Sequence, residues 1–322
     1  MRIVGVAQGV AIQAPDDAYF SYFNSPYIGH SLGTAIDIYP RHQEWEGPVL
    51  SPVSGKVAKI RKMQMGKEKR FPAEDFDYGI AILPEHESRD AVRVMHCRPT
   101  VQEGEKLDLG DQIGCAIRSR YFNYWTGPHY HVEIVPLDSF SRSTKSYPLD
   151  IPVSNEQHHR GSKDLGVEFL ITQVSDDCAI GFSRESSFTS VGDLVGLSAY
   201  SGSGSALGII DGGLSHYQHG GVLGSKKTKE GELVNIGGLP VGCIASKRKG
   251  LSYFKRGPAI VATFDGIELR GLSCFVYPHH YTKKGVPQLI LIPREYRGFR
   301  NLIENNSLGI LEIRSLSNTN KF

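Results

Sequence analysis

Residues 127–134 read GPHYHVEI, and this short stretch decides how the chain is read. Gly127 and Pro128 mark a turn, and YHVEIVPL from residue 130 is the alternating, β-branched run of a strand. Side chains two apart on a strand share a face, so His129 and His131 project together, about 6 to 7 Å apart along the chain. Two imidazoles on one face can serve one metal ion. Glu133 follows on that face; a carboxylate there is expected at the surface, with orientation of a ligand from behind as its functional alternative.

Outward from this strand the pattern repeats. VLSPVSGKVAKI (49–60), YGIAILP (78–84) and AVRVMHC (91–97) each fit a strand of about five to eight residues. No stretch of the first 150 residues keeps a 3.6-residue apolar period for three turns, so helices there are expected to be few and short. LGVEFLITQV, GDLVGLSAY, GELVNIGGLPVGCIAS, GPAIVATFDGIELRGLSCFVYP and PQLILIP read as strands of the second half, with one short helix expected around 294–305. Between Ser141 and Asp164 the polar, proline-containing SRSTKSYPLDIPVSNEQHHRGSKD suits a connection. The expectation is two mainly β domains, residues 1–150 and 151–322. A chain of 322 residues is long enough for two cores.

A second chemical signal is HSLGTAIDI (30–38). His30, a turn allowed by Gly33, and Asp37 on the strand that follows can bring an imidazole nitrogen and a carboxylate oxygen to one ion, and both are good zinc donors.

Taken together, these segments resemble the lysostaphin-type peptidoglycan endopeptidases over residues 28–135. GPHYHVEI is similar to their HxH strand, VLSPVSGKVAKI to the strand after their aspartate, and VMHCRPTVQEGEKLDLGDQIG to their histidine-ending strand and the hairpin beyond it. The His–Asp spacing departs from that pattern. Those endopeptidases normally leave three residues between the two, whereas six separate His30 from Asp37, so H-x-x-G-x-A-x-D instead resembles the D-alanyl-D-alanine peptidases. The resemblance implies an antiparallel β barrel-sandwich (duplicated hybrid motif) fold for the N-terminal domain. It implies one Zn2+ held by His30, Asp37 and His131, with His96 and His129 in the catalytic positions and a peptide or peptide-like substrate. Three protein ligands leave a fourth position for water, as in a catalytic zinc site. How His96 and His129 divide proton transfer and oxyanion stabilisation stays open at this stage. The alternative is a module that keeps the fold, with or without the metal, and no longer catalyses.

The remaining features exclude more than they assign. A formal charge of +2 gives no case for nucleic acid. The basic run from Lys59 to Arg70, with Lys226, Lys227 and Lys229 and then Lys247 to Lys249, reads as solvated loops, since no aromatics interleave the first run to stack on bases. Five cysteines without CxxC spacing argue against a disulfide framework or a cysteine zinc knuckle. The start of the chain lacks a signal-peptide pattern and no window is apolar enough for a membrane span, so a cytoplasmic location is expected. A resemblance of SPVSGKV and QEGEKLDLGDQIG to biotinyl and lipoyl carrier domains lacks the displayed lysine of those families. In DGGLSHYQHGG, Asp211, His216 and His219 read as turn-exposed, as do His279 and His280, and YSGSGSALG (200–208) reads as a flexible loop rather than a phosphate loop. Recurrent G-[DE] turns are too common to mark a duplication.

Overall fold

The structure is a computed structural model that describes residues 1–41, 44–85, 89–154, 156–160, 167–183, 187–217, 219–224, 228–256, 259–281 and 286–316. It is mainly β, and the chain divides into two compact units. The first comprises residues 1–20 and 27–152, the second residues 21–26 and 153–322. No helix among the described residues is long and apolar enough to cross a membrane.

The first unit is built on a seven-stranded sheet. Its order is Lys106–Leu107, Gly55–Gln64, Phe76–Pro84, Asp90–Met95, Tyr130–Pro136, Ala35–Tyr39 and Tyr19–Ser21. A three-stranded sheet of Pro48–Leu50, Gln112–Ala116 and Cys97–Pro99 stands beside it. Strand periodicity divides the work of the large sheet between its faces. Ile80, Val94, Val132 and Ile36 are register partners in one row and Ile82, Val92 and Ile134 in another; all seven are fully buried core. The alternate positions form a second row, Arg61, Gly79, Met95, His131 and Asp37, on the opposite face. The site therefore lies on the face opposite these two rows, which it shares with a smaller apolar cluster of Ala81, Ala91 and Phe140.

Local detail refines the sequence reading. VLSPVSGKVAKI is two strands in two different sheets, because Ser51–Ser54 form a turn between Leu50 and Gly55. The basic run is a strand as far as Gln64 rather than a loop; Lys62 Nζ sits 3.8 Å from the Phe76 ring centroid. AVRVMHC breaks at His96, which takes a positive φ of 64° and sends the chain from the large sheet into the small one.

The second unit contains two closed rings of six antiparallel strands. In one, Leu194–Ser201, Ala206–Leu214, His219–Leu223, Leu251–Arg256, Leu239–Arg248 and Leu233–Ile236 pair in that order and return to the first. In the other, Ile260–Phe264, Ile267–Cys274, Leu289–Pro293, Ala179–Phe182, Val167–Val174 and Leu308–Ser315 do the same. Numbered along the chain, the first ring runs 1-2-3-6-5-4, and the second has that order under circular permutation. Closure leaves no strand edge unpaired within either ring. One apolar core joins them, including Leu197, Val222, Phe254, Phe264, Leu272 and Leu291.

Three expectations in this half are corrected. Residues 294–305 form successive turns, since Arg297 and Asn301 have φ of 67° and 62°, outside the range of a helix. Part of the polar connection is structured: Leu149 is core of the first unit, and Gln157–Arg160 pairs with Phe188–Val191 in the second. Asp211 is fully buried, accepting bonds from the Ser21 hydroxyl (2.6 Å) and the Tyr22 and Phe23 amides (2.5 and 3.2 Å), while His216 and His219 are half-buried. Lys226 and Lys227 lie outside the described residues. The five cysteines are free thiols.

Candidate metal centre

The first element of the site is a single helical turn, Ile28–Ser31, that carries His30. The turn closes because the Leu32 amide bonds Ile28 O, and Thr34 caps Gly29 O with both its amide (2.8 Å) and its hydroxyl (3.1 Å). Gly33 takes φ of 66°, which a side chain resists, and turns the chain into Ala35–Tyr39 with Asp37 at its centre. A Cβ on Gly29 would lie 2.2 Å from Glu133 Oε1, so only glycine lets this turn approach the HxH strand. His131 pairs directly with Asp37 across that strand.

These elements bring three donor atoms together. His131 Nδ1 is 2.7 Å from Asp37 Oδ1, and His30 Nε2 is 3.2 Å from that oxygen and 3.1 Å from His131 Nδ1. An ion roughly 2.0 to 2.2 Å from each donor spaces tetrahedral ligands roughly 3.3 to 3.6 Å apart, so the triangle takes one by opening its two longer edges slightly and its His131–Asp37 edge by roughly 0.6 to 0.9 Å. The chemistry fits as well. With Nδ1 given to an ion, the His131 proton sits on Nε2, which is buried, lacks a hydrogen bond of good geometry, and faces Glu133 Oε1 at 3.3 Å. Glu133 is thus fully buried, not at the surface; its other oxygen meets Arg93 and accepts from the Ser146 hydroxyl at 3.0 Å.

His96 and His129 flank the triangle, with ring centroids 5.5 Å apart. His96 donates Nδ1–H to Asp77 Oδ2 at 2.7 Å, and His129 donates Nδ1–H to Gly127 O at 2.9 Å. Each is thereby held in the tautomer whose Nε2 carries the lone pair. His129 Nε2 is 3.6 Å from Asp37 Oδ2. Burial would raise the Asp37 carboxyl, but His30, His129 and the bond from His131 hold it well below the usual carboxylate range. Burial lowers His129 against the pull of Asp37, and it lowers His131 to about 3. At neutral pH Asp37 is thus a carboxylate beside the neutral imidazoles of His129 and His131, a donor set ready to bind a cation.

The sequence marked five of these residues and missed the shell around them. Asp77 accepts from His96 Nδ1, the Ser119 hydroxyl (2.6 Å) and the Tyr78 amide (2.7 Å). The Tyr27 ring stands 4.9 Å from His131, and Tyr121 and Phe122 lie 5.0 and 4.5 Å from His96. The only forewarning of Asp77 is a charged residue inside the apolar run FDYGIAIL, since a buried carboxylate requires partners. Nothing local announces that the partner is a histidine nineteen residues on.

A family model described as a domain of unknown function (DUF8155), N-terminal domain, matches residues 11–151. No curated protein matches the chain. Among solved structures, the chain is similar to the antimicrobial peptidase lysostaphin from Staphylococcus simulans at 13% identity and TM-score 0.28, covering 61% of this chain and 89% of that one. A solution NMR structure of lysostaphin is similar at 12% identity and TM-score 0.26, covering 76% and 98%. A likeness at this level leaves the reading of the site to its own geometry.

Proposed function

We propose that the N-terminal unit is a zinc-dependent peptidase, with His30, Asp37 and His131 as metal ligands and His96 and His129 as the groups that move protons. The observation that carries the reading is the convergence of three donors within 3.2 Å beside two further imidazoles of fixed tautomer. The order of the H-x-x-G-x-A-x-D, VMH and HxH segments along the chain supports it independently. Zinc bound there supplies a Lewis acid that acidifies water and polarises a carbonyl. His96 or His129 then accepts at Nε2 the proton released as water adds to the scissile carbonyl, and returns it to the departing amine. Glu133, braced by Arg93 and Ser146, holds the His131 ring in its binding orientation.

The second reading, a metal-holding module without catalysis, is favoured by one specific observation: none of the five residues is more than 3% exposed. Metal content and turnover on a broad peptide, muropeptide and amide library separate the two. Under the first reading the zinc-loaded chain cleaves a member of the library, and His96→Ala and His129→Ala keep zinc while losing turnover by about 10²-fold or more. A zinc-loaded chain that cleaves nothing leaves the second.

A further inference from the structure

Beside the metal centre, within the first unit, lies a cavity of about 210 Å3. The row of register partners from Asp37 and His131 through Met95 and Gly79 to Arg61 passes along it. With strands about 4.8 Å apart, the Gly79 Cα stands about 10 Å from that of His131. That is the reach of the residue next to a bond held at the ion, since an extended chain advances about 3.3 to 3.6 Å per residue and its side chain projects further.

The lining is unusual for this chain. Of its four methionines, three, Met63, Met65 and Met95, line this one cavity. Met63 and Met65 are half-exposed there, where a strand of this basic character would ordinarily carry polar residues. Arg61 and Met63 share a face by strand alternation, and Met65 just beyond the strand lines the same cavity, while Lys62 turns the other way over Phe76. Gly79 lets the Phe140 ring close against the cavity wall: a Cβ there would lie 3.2 Å from Phe140 Cζ and 3.9 Å from Met63 Cε. Methionine is unbranched and polarisable and repacks around differently shaped apolar groups. The volume falls below the ~300–1,000 Å3 of sites that enclose a whole small ligand, and it is ample for one large apolar side chain.

We propose that this cavity is a specificity pocket that seats the apolar side chain, of leucine, methionine or phenylalanine type, of a peptide residue adjoining the bond held at the metal centre. The proposal rests on the peptidase reading for what happens to that bond, and on the cavity alone for what it binds. It makes the substrate a peptide with a large apolar residue at that position rather than a run of small residues.

The test uses the full chain carrying methyl-13C methionine, with acetyl-Gly-Leu-Gly-amide and acetyl-triglycine-amide as probes. The leucine peptide is expected to shift the methyl signals of Met63, Met65 and Met95 but not Met1, and to bind at least about tenfold more tightly than triglycine, the scale of discrimination an apolar pocket provides. Gly79→Leu, which fills the space, is expected to abolish the response with zinc content unchanged. Met65→Ala, at a half-exposed position, is expected to weaken it should Gly79→Leu fail to fold. Equal response to both peptides, no response, or a response unaltered in the variants overturns the pocket. Loss of the peptidase reading is distinguishable from this: a chain without turnover whose methionines still discriminate leucine from glycine retains the pocket as a peptide-binding groove.

Discussion

Asp77→Asn tests whether the site depends on a fixed histidine tautomer. The native carboxylate is fully buried and accepts four bonds: Oδ2 from His96 Nδ1 and the Ser119 hydroxyl, and Oδ1 from the Tyr78 amide (2.7 Å) and the His96 amide (3.2 Å). Burial would raise its pKa, but His96 and the Ser119 and Tyr78 bonds outweigh this and keep it ionised below the usual range. Asparagine has the same shape with one oxygen. The two backbone amides can only donate, so they claim that oxygen, and the amide NH2 turns towards His96 Nδ1 and Ser119. The Ser119 hydroxyl can rotate to accept. His96 can accept only by moving its proton to Nε2, which removes the lone pair from the side facing the site. The fold should lose about 1 to 3 kcal/mol for exchanging charge-assisted bonds for neutral ones. Zinc binding should be unchanged, because Asp77 is not in the donor triangle. Turnover, if His96 is the base, should fall by about 10²- to 10⁴-fold, the range for such a group, or roughly 2.7 to 5.4 kcal/mol in the barrier. Imidazole 15N NMR reads the tautomer directly, alongside zinc content and a denaturation midpoint. A His96 that keeps its proton on Nδ1 in Asp77→Asn would refute the reasoning, whatever the activity.

Asp37→Ala or His131→Ala, each removing one corner of the triangle, should abolish most zinc binding; metal analysis at full occupancy in both variants contradicts the ligand set. Gly29→Ala drives a methyl to 2.2 Å from Glu133 Oε1 and should cost about 1 to 3 kcal/mol as an overpacked contact, measurable as a lower melting temperature, while an unchanged midpoint means the helical turn has room to shift. His216 is lowered to about 3, chiefly by burial and by Arg270, against the Leu214 carbonyl bond. Below the ordinary histidine pKa of about 6.5 the unfolded chain takes up a proton that the folded one refuses, so stability should fall with pH between about 6.5 and 3, by about 2 kcal/mol at pH 5. His216→Gln should flatten that decline in denaturant midpoints compared at pH 7 and 5, and parallel curves for the two proteins would exclude His216 as the cause.

The sequence by itself determined the strand class and the candidate donors, because both are short-range properties. Alternation in YHVEIVPL puts His131 and Glu133 on one face whatever the strand pairs with, and Gly33 permits the left-handed turn between His30 and Asp37 wherever that turn ends up. Tertiary structure decided what those residues do to one another. Antiparallel register, invisible in a single strand, set Asp37 against His131 and aligned Met95, Gly79 and Arg61 beside them. Burial put Glu133, expected at the surface, within 3.3 Å of His131 Nε2, and made Asp77 the partner of His96. The helix expected at 294–305 gives way to turns in which Arg297 and Asn301 are left-handed and Phe299 and Ile303 are buried in the core of the second unit. Ring closure in the second unit likewise depends on pairings between strands far apart in the chain, as between Val167–Val174 and Leu308–Ser315. A local pattern fixes which side chains share a face, but only the register of distant strands fixes which faces meet.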